Sequence, residues 1–176
     1  MRFGEMIPGK AYRVVDENVM RLNAFFIFMI AAASFVIGFG LRKFELLPFF
    51  VGVVWLNFII GLFVNMNHAP TIFISRLILG KKIKTPIGAI QKKFAWGLGL
   101  VLSSVILILS LFLVTNPGLF NLVCMLCLIC LGITFSEAAL KVCVGCELYR
   151  YAQEFNLISK PKPEEKPNCM GDSCNV

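Results

Sequence analysis

Residues 119–140 of the chain read LFNLVCMLCLICLGITFSEAAL, an almost uninterrupted apolar run. A helix of about 20 such residues crosses a hydrocarbon core of about 30 Å, since each residue adds about 1.5 Å. Three similar runs occupy residues 22–41, 46–64 and 94–114. Together the four runs predict an all-α membrane protein with four transmembrane helices.

The composition of the whole chain supports this fold class. Of its 176 residues, 58% are hydrophobic and only 15% are charged, whereas a soluble domain is about 45–50% apolar and about 25% charged. The lipid bilayer is therefore the expected partner. The net charge of +7 does not predict nucleic-acid binding, because no basic patch is interleaved with aromatic residues that would stack on bases. A cleaved signal peptide is also disfavoured, since the first apolar run continues to Leu41 and three more follow.

Polar stretches divide the chain into three parts. Residues 1–15 are predicted to form a cytosolic N-terminal segment, residues 16–155 the four-helix transmembrane domain, and residues 156–176 a tail. The tail is rich in proline and charge, so it is predicted to be disordered. Between the second and third runs, apolar residues flank Arg76 and five lysines follow. This pattern predicts an amphipathic segment that lies in the membrane interface.

The distribution of basic residues predicts the orientation in the membrane. Four spans place both termini on one side, and all of the 17 Lys and Arg residues except Arg42 and Lys43 fall on that side. Because cytoplasmic segments carry the excess of Lys and Arg, both termini are predicted to be cytosolic, in a multi-pass protein of the cell (inner) membrane. The cytosol is reducing, which argues against permanent structural disulfides there.

The sequence Cys143-Val144-Gly145-Cys146, which follows the fourth run, is the main candidate for chemistry. On a helix this spacing places both sulfurs on one face. It suits a reversible dithiol/disulfide, half of a metal site, or persulfide transfer. Lys141 and Arg150 lie near enough in sequence to favour a thiolate, and Gly145 is expected to loosen the backbone between the sulfurs. The plainer alternative is two small apolar residues at a helix end.

The remaining cysteines fall into two groups. Cys124, Cys127 and Cys130 repeat every three residues inside the fourth run. Buried cysteine commonly packs as a small hydrophobe, and the alternative is a thiol-lined track across the bilayer. In the tail, Cys169 and Cys174 would complete a set of four thiolates with Cys143 and Cys146, which suits tetrahedral zinc. No cofactor is otherwise expected, so zinc or another soft metal is the only one considered.

Two other polar residues stand out near the membrane. Glu137 lies near the end of the fourth run, and an ionisable residue at that depth is a candidate functional group. The alternative is a structural ion pair with Lys141, four residues later on the same helix. The single histidine, His68, has no acidic residue near it in sequence and is expected to be a loop residue.

Three separated motifs resemble one known family. They are VDENVMRLNAF at residues 15–25, PIGAIQKKFA at 86–95, and EAA at 137–139 followed by CVGCELY at 143–149. In this order they are similar to the small prokaryotic membrane proteins of the domain of unknown function 4395 family. The resemblance implies a four-span membrane domain but no established activity. It carries over the following motif residues, without assigning them roles: Asp16, Arg21, Asn23, Lys93, Phe94, Cys143, Gly145, Cys146 and Tyr149.

The resemblance also favours sulfur or thiol chemistry, because family members are thought to occur near thioredoxin-like and sulfurtransferase genes. The first hypothesis is therefore a cytosol-facing dithiol protein, in which Cys143 and Cys146 exchange electrons or sulfane sulfur with a thioredoxin-like or rhodanese-like soluble partner. The second is a small transporter or channel component for a sulfur species or soft metal, lined by the membrane cysteines and Glu137. The third is a structural membrane subunit. A four-span unit of this size often forms a homo-oligomer, and whether the protein is an enzyme stays open.

Overall fold

The computed structural model of the chain describes residues 3–6, 13–80 and 85–155. The predicted all-α class is confirmed, and four helices are long and apolar enough to cross a membrane: Glu17–Gly40, Phe44–Val64, Ala89–Leu113 and Pro117–Ala139. The predicted tail, with Cys169 and Cys174, lies outside the described residues.

The main helices are α1 (Glu17–Phe35), α2 (Leu47–Ile59), α3 (Pro70–Leu79), α4 (Ala89–Leu113), α5 (Phe120–Ala139) and α6 (Val144–Glu154). Both α1 and α2 continue into a wider π-helical turn, at Val36–Gly40 and Ile60–Val64. The helices α1 and α4 begin before the apolar runs that predicted them, because backbone hydrogen bonding continues into polar residues outside the hydrocarbon. At the start of α1, Asp16 accepts a hydrogen bond from the backbone N–H of Asn18 at 2.8 Å, which caps the helix.

The spanning helices pack as a bundle in which α1 lies mainly against α5 and α2 mainly against α4. One core cluster contains Met20, Ile72 and Trp96, and a second contains Leu47 and Val123. Large apolar side chains are also exposed on the outside of the bundle, and they include Phe25, Leu56, Val101, Ile108 and Leu128. An outer surface of this kind is expected of helices that contact lipid.

A short antiparallel ribbon joins two distant segments before the helices begin. Strand β1 (Val14–Asp16) pairs with strand β2 (Pro86–Gly88), and Val15 lies opposite Ile87. This ribbon is not predictable from the sequence, because three residues are too few to show an alternating pattern. Its effect is to place the start of α1 next to the start of α4.

The segment between the second and third spans contains the amphipathic helix α3, as predicted. Thr71, Ile72 and Ser75 face the bundle and are buried, whereas Phe73 and Leu77 are exposed. The Thr71 hydroxyl lies at hydrogen-bonding distance from the side-chain oxygens of two buried residues, Asn23 of α1 and Asn57 of α2. These polar contacts hold α3 against the spanning helices, because an unpaired buried polar group would be costly.

Candidate functional site

The two cysteines of the CxxC sequence lie where the chain leaves the bundle. Helix α5 ends at Ala139, and the chain turns at Lys141, whose φ is 61°. Cys143 is then the N-cap residue of α6 in an extended conformation, and Cys146 lies in the first turn. The CxxC sequence thus starts a helix, with Cys143 as its cap and Cys146 within it. The Cys143 carbonyl accepts hydrogen bonds from the backbone N–H groups of Cys146 and Glu147, at 2.9 and 3.1 Å, and so starts a new helix.

Cys143 and Cys146 form a disulfide in the structure, with their Cα atoms 5.2 Å apart. Each residue is only 4% exposed. Both nevertheless line a cleft of about 470 Å³, a volume that includes its open mouth. The cleft is otherwise lined by Glu17, Arg21, Ile87, Gly88, Gln91, Lys92, Glu137 and Lys141. The disulfide therefore borders a polar space that α1, α4, α5 and α6 form together.

A buried ion pair forms part of the cleft wall. The Lys92 Nζ atom lies 2.5 Å from Oε1 of Glu137, and Lys92 is 5% exposed. Glu137 therefore pairs with Lys92 of α4 and not with Lys141, the partner considered from the sequence. The reason is that α5 ends before Lys141 can complete the next turn. Lys92 was not singled out as a site residue from the sequence. Its position offered a signal, because Lys92 lies one turn before Trp96 on the same face of α4, and a large apolar residue such as Trp96 is expected to face the bundle.

Arg21 joins α1 to the end of α5. Its Nη2 atom donates a hydrogen bond to the carbonyl oxygen of Ala138 at 3.3 Å. This carbonyl belongs to the last turn of α5, where carbonyls have no partner within the helix. The Arg21 Nε atom is buried and has no hydrogen-bond partner among the described residues. Arg21 thus supports the end of α5 beside the cleft.

Helix α6 packs very closely against α4. A Cβ atom built on Gly145 would lie 2.5 Å from Cβ and 2.7 Å from Cα of Ala95. The rings of Phe94 and Tyr149 also meet across this interface, with their centroids 5.2 Å apart. Gly145 was predicted to loosen the backbone between the two sulfurs. In the structure its role is different, because the missing side chain lets α6 approach α4 closely.

Several candidates from the sequence lie away from the cleft. Asn23 contacts Thr71 within the bundle, and Asp16 accepts a hydrogen bond from the Thr85 hydroxyl at 3.1 Å. Lys93 and His68 are exposed. The structure therefore brings Arg21 and Glu137 to the cysteine pair, but not Asn23 or Lys93. Arg150 also points elsewhere, since it pairs with Glu147 at 3.3 Å.

The membrane cysteines have a separate location. Cys127 is buried, and with Cys130 it lines a second cavity of about 390 Å³, a volume that includes its open mouth, together with Ser34 and Ser103. No residue lines both this cavity and the cleft. Cys124 is partly exposed. This arrangement favours packing over a continuous track of thiols toward Cys143.

A metal site can be considered only for part of the chain. Among the described residues, no group of three or more His, Cys, Asp or Glu side chains is placed to hold a metal ion. Two of the four thiols proposed for zinc, Cys169 and Cys174, lie outside those residues. The zinc site therefore stays a prediction.

The comparison with protein families identifies the group to which the chain is related. The model of the family described as Domain of unknown function (DUF4395) matches residues 15–154. The match covers most of the chain, so the protein belongs to this family, and the resemblance of the three motifs is confirmed. No curated protein and no solved structure matches the chain.

Proposed function

We propose that this member of the DUF4395 family is a membrane dithiol protein whose Cys143–Cys146 pair cycles between disulfide and dithiol. The partner would be a soluble thiol protein of the thioredoxin-like or rhodanese-like class. The observation that carries the proposal is the position of the bonded sulfurs beside a polar cleft. All three family motifs contribute residues to that cleft, so the most family-specific parts of the chain converge on the cysteine pair.

The exchange proceeds by thiolate attack. A thiolate of the reduced partner attacks one sulfur of the disulfide, a mixed disulfide forms, and the other cysteine leaves as a thiolate. The second thiol of a thioredoxin-like partner then attacks the partner sulfur of the mixed disulfide, which closes the partner's own disulfide and releases the remaining cysteine as a thiolate. The partner loses two electrons and two protons and becomes a disulfide, while Cys143 and Cys146 gain them and become thiols.

The surroundings of the pair suit this chemistry. The cysteines lie at the N-terminus of α6, where the helix dipole stabilises negative charge on a thiolate. The Lys141 side chain lines the same cleft and adds positive charge, while the charge of Lys92 is balanced by Glu137.

The side of the membrane also fits a reversible pair. The cleft lies at the start of α1, the start of α4 and the end of α5, which is the side that carries most of the basic residues. The positive-inside rule makes that side the cytosolic face of the cell membrane. A disulfide in a reducing compartment is usually transient and redox-active, which supports a role in thiol redox or sulfur metabolism.

The transport alternative receives less support. It requires the membrane cysteines and Glu137 to line one path. Cys127 and Cys130 instead line the second cavity, whereas Glu137 lines the cleft. If the following experiment shows no thiol exchange, a structural role for the protein is the remaining hypothesis.

The test is redox titration of the protein, purified anaerobically in detergent, in thiol/disulfide buffers of increasing oxidising strength. Alkylation of free thiols followed by mass spectrometry reports the state of each cysteine. We expect Cys143 and Cys146 to convert together in one two-electron transition, and Cys127 to stay a free thiol throughout. With a thioredoxin-like partner, one of Cys143→Ser and Cys146→Ser should accumulate a mixed disulfide. Cys127→Ser is the control and should behave like the unchanged protein.

Two results would contradict the proposal. One is independent, even alkylation of Cys143 and Cys146 in all buffers. The other is a combined failure: neither serine variant forms a mixed disulfide with a thiol partner, and the unchanged protein does not exchange its disulfide with that partner either.

A further inference from the structure

Helix α6 has an apolar stripe on the side that faces away from the bundle. Val144, Leu148, Tyr151 and Phe155 recur at intervals of four, three and four residues, which places them on one helical face. They are 39%, 49%, 49% and 74% exposed. Cys146 and Tyr149, on the opposite face, are buried against the bundle. A row of large apolar side chains on an exposed face marks an interaction surface.

The depth of α6 indicates what this surface meets. Gly145 and Tyr149 of α6 contact Ala95 and Phe94 of α4, where the apolar run of α4 begins. Because α4 has 25 residues, its length of about 37 Å exceeds the hydrocarbon thickness of about 30 Å. The start of α4, up to Lys93, therefore lies in the polar boundary of the bilayer. Helix α6 lies beside the next turn, at the edge of the hydrocarbon.

Large apolar side chains are also exposed along the chain that leads to the stripe. Phe135 of α5 is 48% exposed, and Leu140 and Val142, between α5 and α6, are 62% and 43% exposed. The charged side chains of α6 lie on a third face, where Glu147 pairs with Arg150. The Arg150 guanidinium lies 5.8 Å from the ring centroid of Tyr151, a residue type enriched at membrane interfaces.

We propose that α6 is an interfacial helix whose stripe of Val144, Leu148, Tyr151 and Phe155 lies on the lipid surface, at the boundary of headgroups and acyl chains. The charged face then points to water, as in other amphipathic helices that lie in the interface plane. The lipid holds the outer side of α6 and α4 holds the inner side, so the cysteine pair is fixed at the membrane surface. This inference concerns the position of the helix and holds whether or not the cysteines exchange electrons.

Site-specific photo-crosslinking tests the proposal. The photoreactive residue p-benzoylphenylalanine is placed at position 148 or 151, and at 154 on the charged face as the matched control. All three side chains are exposed, so the substitutions spare the packed interface with α4. The proteins are reconstituted in nanodiscs of phosphatidylethanolamine and phosphatidylglycerol and irradiated. We expect lipid adducts, measured by mass spectrometry, to be several-fold more abundant at 148 and 151 than at 154.

Other products would overturn the proposal. Crosslinks between two copies of the chain at 148 or 151 would show that the stripe is a subunit interface. Equal lipid yields at all three positions, or no lipid adduct at any of them, would show that it does not lie on lipid.

Amide hydrogen exchange in the same nanodiscs gives a second measurement. Leu148→Gln should speed exchange in α6 several-fold, because it weakens the contact with lipid, whereas Glu154→Gln should leave it unchanged. Equal exchange in the two variants would also contradict the proposal.

Discussion

The two ends of the bundle are built in different ways. At one end, called here the cleft end, charged side chains meet the disulfide, and the buried pair of Lys92 and Glu137 joins α4 to α5. At the other, the aromatic end, short turns connect the spans, and Phe39 packs near the rings of Phe44 and Phe120, with centroids 6.2 and 5.3 Å away. Among the described residues, Arg42 and Lys43 are the basic ones at this end, and both are exposed.

This difference separates two kinds of stability. The aromatic rings are uncharged, so neighbouring rings can repack when one is changed without leaving a buried charge unpaired. An ion pair in a buried site is different, because removing one partner leaves an uncompensated charge. The close approach of Gly145 to Ala95 is equally intolerant of added atoms. The identities of residues should therefore matter more at the cleft end than at the aromatic end.

The largest effect is expected for Lys92→Met. The substitution leaves the Glu137 carboxylate without its partner, and it should lower the free energy of unfolding by about 3 kcal/mol, near the lower end of the range for broken buried pairs. The lower end applies because the Glu137 side chain is 21% exposed. Unfolding in mixed micelles, followed by tryptophan fluorescence, measures this change.

Lys43→Met at the aromatic end is the matched control, and it should change the free energy of unfolding by less than about 0.5 kcal/mol, as exposed substitutions usually do. The double variant Lys92→Met/Glu137→Met should regain most of the lost stability, since it removes both charges. Equal changes in the free energy of unfolding for Lys92→Met and Lys43→Met would contradict the proposed difference between the two ends.

A smaller loss is expected for Gly145→Ala. The new methyl group would overlap Ala95, so α6 must shift away from α4, at a cost of about 1–3 kcal/mol. Gly118→Ala at the aromatic end is the control, because no atom lies within 4 Å of the Cβ position there. Ala95→Gly combined with Gly145→Ala should restore part of the stability. A stable Gly145→Ala protein would mean that α6 is not held closely.

The smallest effect is expected for Phe39→Leu, which removes one ring from the aromatic end. Phe39 is only partly buried, and leucine keeps most of its apolar surface and leaves no charge unpaired, so a net loss of about 1 kcal/mol is expected. The redox transition of Cys143 and Cys146 should stay unchanged in this variant, whereas Gly145→Ala should shift it. A shift in Phe39→Leu as well would show that the two ends are coupled.

The fold was largely predictable because a membrane imposes a length on its helices. Four apolar runs were enough to predict four spanning helices, and the flanking charge pattern predicted the amphipathic α3. Helix starts at Glu17 and Ala89 were not predicted. Hydropathy indicates only which residues lie in the hydrocarbon core of the bilayer, and the hydrogen-bonded helix continues beyond them. The pairing of Val15 with Ile87 was not predicted, because the local sequence of a strand does not indicate which distant segment it pairs with.

The site was predictable only in part, for the same reason. The spacing of Cys143 and Cys146 identified the pair, since it is a local signal. Glu137 was identified by its depth in the membrane, but its partner was sought four residues away, whereas Lys92 comes from another helix. The role of Gly145 was also missed, because it depends on a contact with α4, and the sequence around Gly145 does not show which helix packs against it.

The hydrogen bond from Arg21 to Ala138 joins residues 117 positions apart, and this has a consequence for biosynthesis. The chain is made from its N-terminus, so α1 enters the membrane long before the carbonyl that Arg21 will bind exists. Until then the guanidinium must stay in the headgroup layer, which its long side chain can reach. Contacts between such distant residues form late. The cleft is therefore assembled in one of the final steps of insertion, once α5 has entered and α6 has folded against α4.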